Sequence, residues 1–180
     1  MSRPLPRPAV AVLAVALLWA VPRPAPAQTI APAPVPGPVG LSVGNESRIA
    51  ILRAERWLAR HASDSDAPAL PSPPDDATLD RLIPLLQGDF SVVSPDSNFY
   101  ESWYLLATGL AQRGEAVVFF PDGTSIPWRN AILHALVSSQ RPDDAGGGWW
   151  ATSQEAESDA VRSTRAAHAA ILFLLGEPAP

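Results

Sequence analysis

Between Asn98 and Gly114 the apolar residues Tyr100, Trp103, Tyr104, Ala107, Leu110 and Ala111 recur at the spacing of one helix face. A stripe of that period is buried by packing helix against helix. Asn98 and Glu101 form a capping-box-like start and Gly114 a left-handed stop, so both ends of the helix are marked. The same period recurs elsewhere. It predicts a helix over Ser47–His61, burying Ile51, Ala54, Trp57 and Leu58 with Asn45 or Ser47 as cap, and a second carrying Leu79, Leu82, Ile83 and Leu86, kinked by Pro84. A fourth opens at Pro127 and buries Trp128, Ile132, Leu136 and Val137. A fifth runs from Asp159 to Leu175, with Val161, Thr164, His168, Ile171 and Leu175 on its stripe. Val117–Phe120 before Pro121-Asp122-Gly123 reads as a strand entering a turn, a small β-hairpin insertion between helices. The expected fold class is all-α.

The N-terminal stretch must be set aside before folding is considered. Arg3 and Arg7 precede an uncharged apolar run, Ala9–Val21, which breaks at Pro22. The run falls short of the roughly 20 residues that span a bilayer. Ala25-Pro26-Ala27 supplies the small residues of a cleavage site, so residues 1–27 read as a signal peptide cut near Ala27/Gln28. The mature chain is then exported, periplasmic or extracellular. Residues 28–44, with Pro32, Pro34, Pro36 and Pro38, read as a Pro-rich linker, and residues 45–180 as the domain.

Charge and residue choice exclude several chemistries. The chain has 13 Lys+Arg, all of them arginine, against 18 Asp+Glu, and three of the bases lie in the leader. The mature chain thus carries 10 bases against 18 acids, a net charge of −8. That balance argues against nucleic acid and anionic membranes as partners. Without lysine there is no Schiff base, Ser-Lys dyad or P-loop. Without cysteine there is no disulfide or thiol nucleophile, and stability must come from packing.

From Phe99 to Leu175 the order is aromatic helix, glycine stop, Trp-led helix, Gln140, a Gly-rich turn with Trp149-Trp150, and a Thr-containing apolar helix. This order resembles the repeat of the squalene cyclase and protein prenyltransferase superfamily. The resemblance implies helical hairpins of an α/α toroid, in which Gln140, Gly147 or Gly148, and Trp149 or Trp150 tie helix ends together. Five helices are too few to close such a ring, so the expected architecture is an open arc of helical hairpins, a partial α/α toroid. The acidic D-x-D-D motif of the cyclases is missing, and Asp143-Asp144 and Asp64-Ser65-Asp66 lack its full set. The prenyltransferase zinc site needs a cysteine.

The expected function is therefore a non-catalytic exported helical-repeat module binding a protein, lipid or glycan partner or a small ligand, without cofactor or metal, and open to homo-oligomerisation. The alternative is a reduced terpenoid-cyclase-like or isoprenoid-binding enzyme, in which Asp143 or Asp144 supplies the acid. Candidate ligand contacts are Trp149 and Trp150, whose rings could stack on a sugar or an isoprenoid. Asp144 is a third candidate, and His168 a fourth should it meet Asp143, Asp144 or Asp159. His61 and His134 lack ligand spacing with a second histidine. Arg53, Arg56 and Arg60 read as a solvated helix face, and Gly123-Thr124-Ser125-Ile126-Pro127 as a helix start. The stretch Ser138–Ser158 reads as a long loop without secondary structure.

Overall fold

The computed structural model describes residues 37–62, 69–94, 98–151 and 157–177. The leader, the linker up to residue 36 and Asp64-Ser65-Asp66 lie outside them. The fold is mostly helical with two small antiparallel hairpins. In chain order the elements are α1 (Leu41–His61), α2 (Asp76–Leu82), two short 3-10 segments (Ile83–Gln87 and Phe90–Val92), α3 (Phe99–Arg113), β1 (Val118–Phe119), β2 (Ser125–Ile126), α4 (Trp128–Ser139), β3 (Arg141–Pro142), β4 (Gly148–Trp149) and α5 (Glu157–Leu175). No helix among the described residues is long and apolar enough to cross a membrane.

The helix α1 starts at Leu41, within the stretch assigned to the linker, and its cap position is Gly40 rather than Asn45 or Ser47. Tertiary contacts hold the chain that leads into it. The Gly40 amide donates to Asn130 Oδ1, and Asn130 Nδ2 donates to the Pro38 carbonyl. The residue before Asn130 in α4's first turn, Arg129, donates to the Gly37 carbonyl and, at 2.7 Å, to the Leu174 carbonyl in the last turn of α5. That carbonyl is one of the four a helix end leaves without an internal partner. Ser47 is instead buried nearly two turns inside the helix, where its hydroxyl donates to Val43 O at 2.7 Å.

Pro84 ends α2 and the chain tightens into a 3-10 helix. A 3-10 helix repeats every three residues, so the buried stripe runs Leu79, Leu82, Leu85, and the expected Ile83 and Leu86 are only half-buried. Asn98 caps α3 as expected, accepting from the Tyr100 and Glu101 amides, but the box is not closed by Glu101. The Glu101 carboxylate turns outward and takes a bidentate pair from Arg162 of α5 at 2.6 and 2.7 Å.

At the centre of the core α5 packs between α3 and α1, and α4 lies against α1, α5 and α3. This explains why α5 is buried around most of its circumference rather than along one stripe. Ala160, Ala166, Ala167, Ala169 and Ala170 let its neighbours approach closely, and Leu106, Leu110, Ile132, Leu136, Ile171 and Leu174 fill the space between. The β1–β2 hairpin is present and takes in Ser125-Ile126 as its second strand, so of the stretch Gly123–Pro127 only Pro127, at the cap position of α4, belongs to the helix start. Ser138–Ser158 is not structureless either, because it holds the β3–β4 hairpin, with Arg141 opposite Trp149 and Pro142 opposite Gly148.

Candidate functional site

The two hairpins share one turn. In the first, the Phe120 amide donates to Thr124 O and the Gly123 amide to Phe120 O; in the second, the Asp143 amide donates to Gly147 O and the Gly146 amide to Asp143 O. Each is a three-residue loop whose last residue is left-handed, and glycine takes that position at φ +85° (Gly123) and +75° (Gly146). The first hairpin delivers the chain to α4 and the second leads it towards α5.

The second hairpin gathers the residues singled out in the sequence. Gln140, at the end of α4, donates through Nε2 to the Ala50 carbonyl of α1 at 2.8 Å. Its amide lies flat against Gly148, where a Cβ would stand 2.6 Å from Gln140 Cδ, so only glycine leaves room for the side chain. Gly147 backs onto Arg60 and Asp143 in the same way. Trp150 is fully buried. Its indole nitrogen donates to Leu136 O in the last turn of α4 at 2.7 Å, and its backbone amide donates to Thr164 Oγ1 of α5 at 3.0 Å. Gln140 therefore joins α4 to α1, while Trp150 joins α4 to α5. Trp150 is a core residue.

Trp149 points the other way, into a smaller apolar cluster with Trp57, Ala151, Ala160 and Val161. It stacks on Trp57 with ring centroids 5.8 Å apart, and Trp57 stacks in turn on His61 at 4.3 Å. The guanidinium of Arg141, its cross-strand partner, lies 5.4 Å from the Trp149 centroid. The half-buried ring is thus engaged by the protein's own aromatic and cationic groups. Recognising the Gly-rich stretch as a hairpin would have placed Arg141 there, since the turn type fixes the register.

Asp143 and Asp144 part company at the turn. Asp143 Oδ1 accepts from the Ala145 and Gly147 amides, and Oδ2 pairs with Arg60 of α1. Arg60 is therefore a partner of the hairpin rather than part of a purely solvated face. Asp144 is exposed beside it. His168 lies elsewhere, buried on α5, and its acidic neighbour is Glu55 of α1, with Nε2 3.7 Å from Oε1, not Asp143, Asp144 or Asp159. His168 Nε2 has no hydrogen-bond partner among the described residues. Trp149, Asp144 and His168 line neither the cavity bounded by α2, α3 and α5 nor the one bounded by the Ile83–Gln87 turn, α3 and α4. Among the described residues no group of three His, Asp or Glu is placed to hold a metal ion.

Burial pushes the His168 imidazole below its ordinary value of 6.5, opposed only in part by Glu55. The folded protein therefore holds His168 neutral where the unfolded chain would bind a proton. Its contribution to stability is expected to be complete above pH 6.5 and to be lost as pH falls below 6.5. Three exposed aspartates, Asp75, Asp89 and Asp122, are held below 3.8 by hydrogen bonds within their own turns and act at more acidic pH. Denaturant midpoints measured between about pH 5 and pH 7 should fall with pH in the wild type and flatten in His168→Gln. An unchanged slope in His168→Gln would place the proton elsewhere.

No family model, curated protein or solved structure matches the chain.

Proposed function

We propose that this chain is a non-catalytic, exported binding module built as an open arc of helical hairpins, a partial α/α toroid of the squalene cyclase and prenyltransferase type. The arc reading is supported by the Gln140, Gly148, Trp150 and Thr164 arrangement, which locks helix ends as the cyclase-type motif implies, and by the recurrence of one hairpin turn ahead of α4 and α5. The observation that carries the non-catalytic reading is the commitment of Asp143. Both of its oxygens are occupied by donors from its own turn and from Arg60. An acid able to protonate a polyene sits buried in an apolar cavity, where desolvation keeps its proton in place. Asp144 instead faces water at the tip of the turn.

Incubation with squalene or farnesyl diphosphate, followed by mass spectrometry of the extract, separates this reading from a reduced cyclase. The wild-type chain and Asp144→Asn should both return the substrate unchanged. Turnover by the wild type that disappears in Asp143→Asn or Asp144→Asn would overturn the proposal.

A further inference from the structure

We infer that the cavity between the Ile83–Gln87 turn, α3 and α4 binds a small uncharged aromatic molecule carrying one hydrogen-bond acceptor; the inference rests on the chain being a ligand-binding module. The cavity has a volume of about 190 Å³. Its walls are apolar, with Leu85 and Leu86 on the turn, Ala131 and Ala135 on α4, and the rings of Phe90 and Trp103. Among the described residues no charged side chain lines it. Of the residues flanking these in the chain, Asp89 alone is charged at neutral pH, and its carboxylate accepts from the Ser91 amide and hydroxyl. A charged ligand would therefore lose water here without gaining an ionic partner in the lining.

Local hydrogen bonds build the mouth. Gly88, left-handed at φ +83°, closes the 3-10 turn, its amide donating to Leu85 O and the Asp89 amide to Pro84 O. Asp89 then caps the following turn through Ser91. That geometry leaves Phe90 58% exposed at the cavity, edge-on to Phe99 with ring centroids 5.6 Å apart. An apolar body entering the cavity takes this ring out of water.

Trp103 sets the one polar requirement. Trp128 and Trp150 spend their indole N–H groups on the Glu115 and Leu136 carbonyls, whereas that of Trp103 makes no hydrogen bond among the described residues. Trp103 is 5% exposed, yet its nitrogen is not sealed in the core as His168 Nε2 is, so it keeps an accessible side. Trp103 lines this cavity and not the one bounded by α2, α3 and α5. A purely apolar occupant would strip water from the N–H and leave it unpaired, whereas an acceptor oxygen on the ligand takes the place of that water.

The volume sets the size. A cavity of about 150 Å³ lined by leucine, isoleucine and phenylalanine holds benzene, and drug-sized sites begin at about 300 Å³. The cavity here therefore fits a single ring with a short substituent. Ring walls at Phe90 and Trp103 favour an aromatic ring over a saturated one, through edge-to-face and offset contacts.

The test uses acetophenone as probe on the ¹⁵N-labelled chain, with benzoate as its charged and cyclohexyl methyl ketone as its saturated counterpart. Acetophenone should shift the Gly88, Phe90 and Ala131 amides and the Trp103 indole N–H, and slow exchange of that N–H with water. The Trp149 and Trp150 indole signals should stay unmoved, and benzoate should shift none of these. The saturated ketone should bind about fivefold more weakly, the effect of losing one ring contact. Ala135→Leu, at a half-buried helical position, should fill the cavity and abolish the shifts, with circular dichroism checking its fold. Phe90→Ala, at an exposed position, should weaken binding about fivefold. No shifts at about 20 mM acetophenone, an unmoved Trp103 indole, shifts that survive Ala135→Leu, or equal binding of either counterpart would overturn the site and leave the non-catalytic reading intact. Recovery of acetophenone as another compound would keep the site and overturn that reading instead.

Discussion

Trp150→Ala is expected to remove about 3–5 kcal/mol of unfolding free energy, a large share of the total for a domain of this size. Three losses coincide. The fully buried ring leaves a cavity among α1, α4 and α5, and its packing cannot be replaced by water. Its indole N–H no longer reaches Leu136 O, a carbonyl in the last turn of α4 that Ser139 Oγ also serves. The backbone bond to Thr164 Oγ1 also loses the ring that holds the two helices at that distance. Trp149→Ala should cost about 1–2 kcal/mol, because it forfeits one ring stack and one guanidinium contact at a half-buried position. Equilibrium denaturation of both variants measures the contrast. Equal losses would mean that the second hairpin does not divide its two tryptophans between core and flank.

Gly148→Ala is expected to destabilise by about 1–3 kcal/mol, the usual range for forcing an extra carbon into close-packed surroundings. The backbone at Gly148 is not left-handed, so the cost comes from the collision with Gln140 and not from strain at φ. To make room, the Gln140 amide must swing away and release the Ala50 carbonyl. Gln140→Ala alone should cost about 1 kcal/mol for that hydrogen bond. In the double variant the added methyl meets no amide, so Gly148→Ala should then be close to neutral. The cycle should return a coupling of about 1–3 kcal/mol. Additive losses would show that the glutamine does not rest on the glycine, and the physical argument for the repeat motif would fall with it.

Four of the five helices were legible as helices within a few residues, because periodicity and capping act within a turn or two. Asn98 marks an end by its side-chain cap, and Gly114, Pro127 and Gly176 mark ends by their own backbone geometry. The start of α1 was not legible. The chain leading into it, at Gly37, Pro38 and Gly40, is held by Arg129 and Asn130, some 90 residues away, and no local rule carries that information. The second hairpin was missed although its turn chemistry was present, since Asp144-Ala145-Gly146 interrupts no alternating strand pattern long enough to announce one.

At the candidate site the sequence by itself determined which residues would matter to the helix junction: Gln140, a glycine and a tryptophan before a threonine-bearing helix. It also fixed the helical class, through periods that depend only on neighbouring residues. Which tryptophan enters the core was decided by the tertiary structure, because adjacent residues of a strand face opposite ways and only the hairpin register selects between them. The fate of the acids was decided there too. Asp143 and Asp144 are alike in sequence, yet one closes its own turn and binds Arg60 while the other meets water. His168 reads as one more residue on a helical stripe. Its pairing with Glu55 exists only because α5 packs against α1, which brings together groups more than a hundred residues apart and removes the water that would otherwise set their charge.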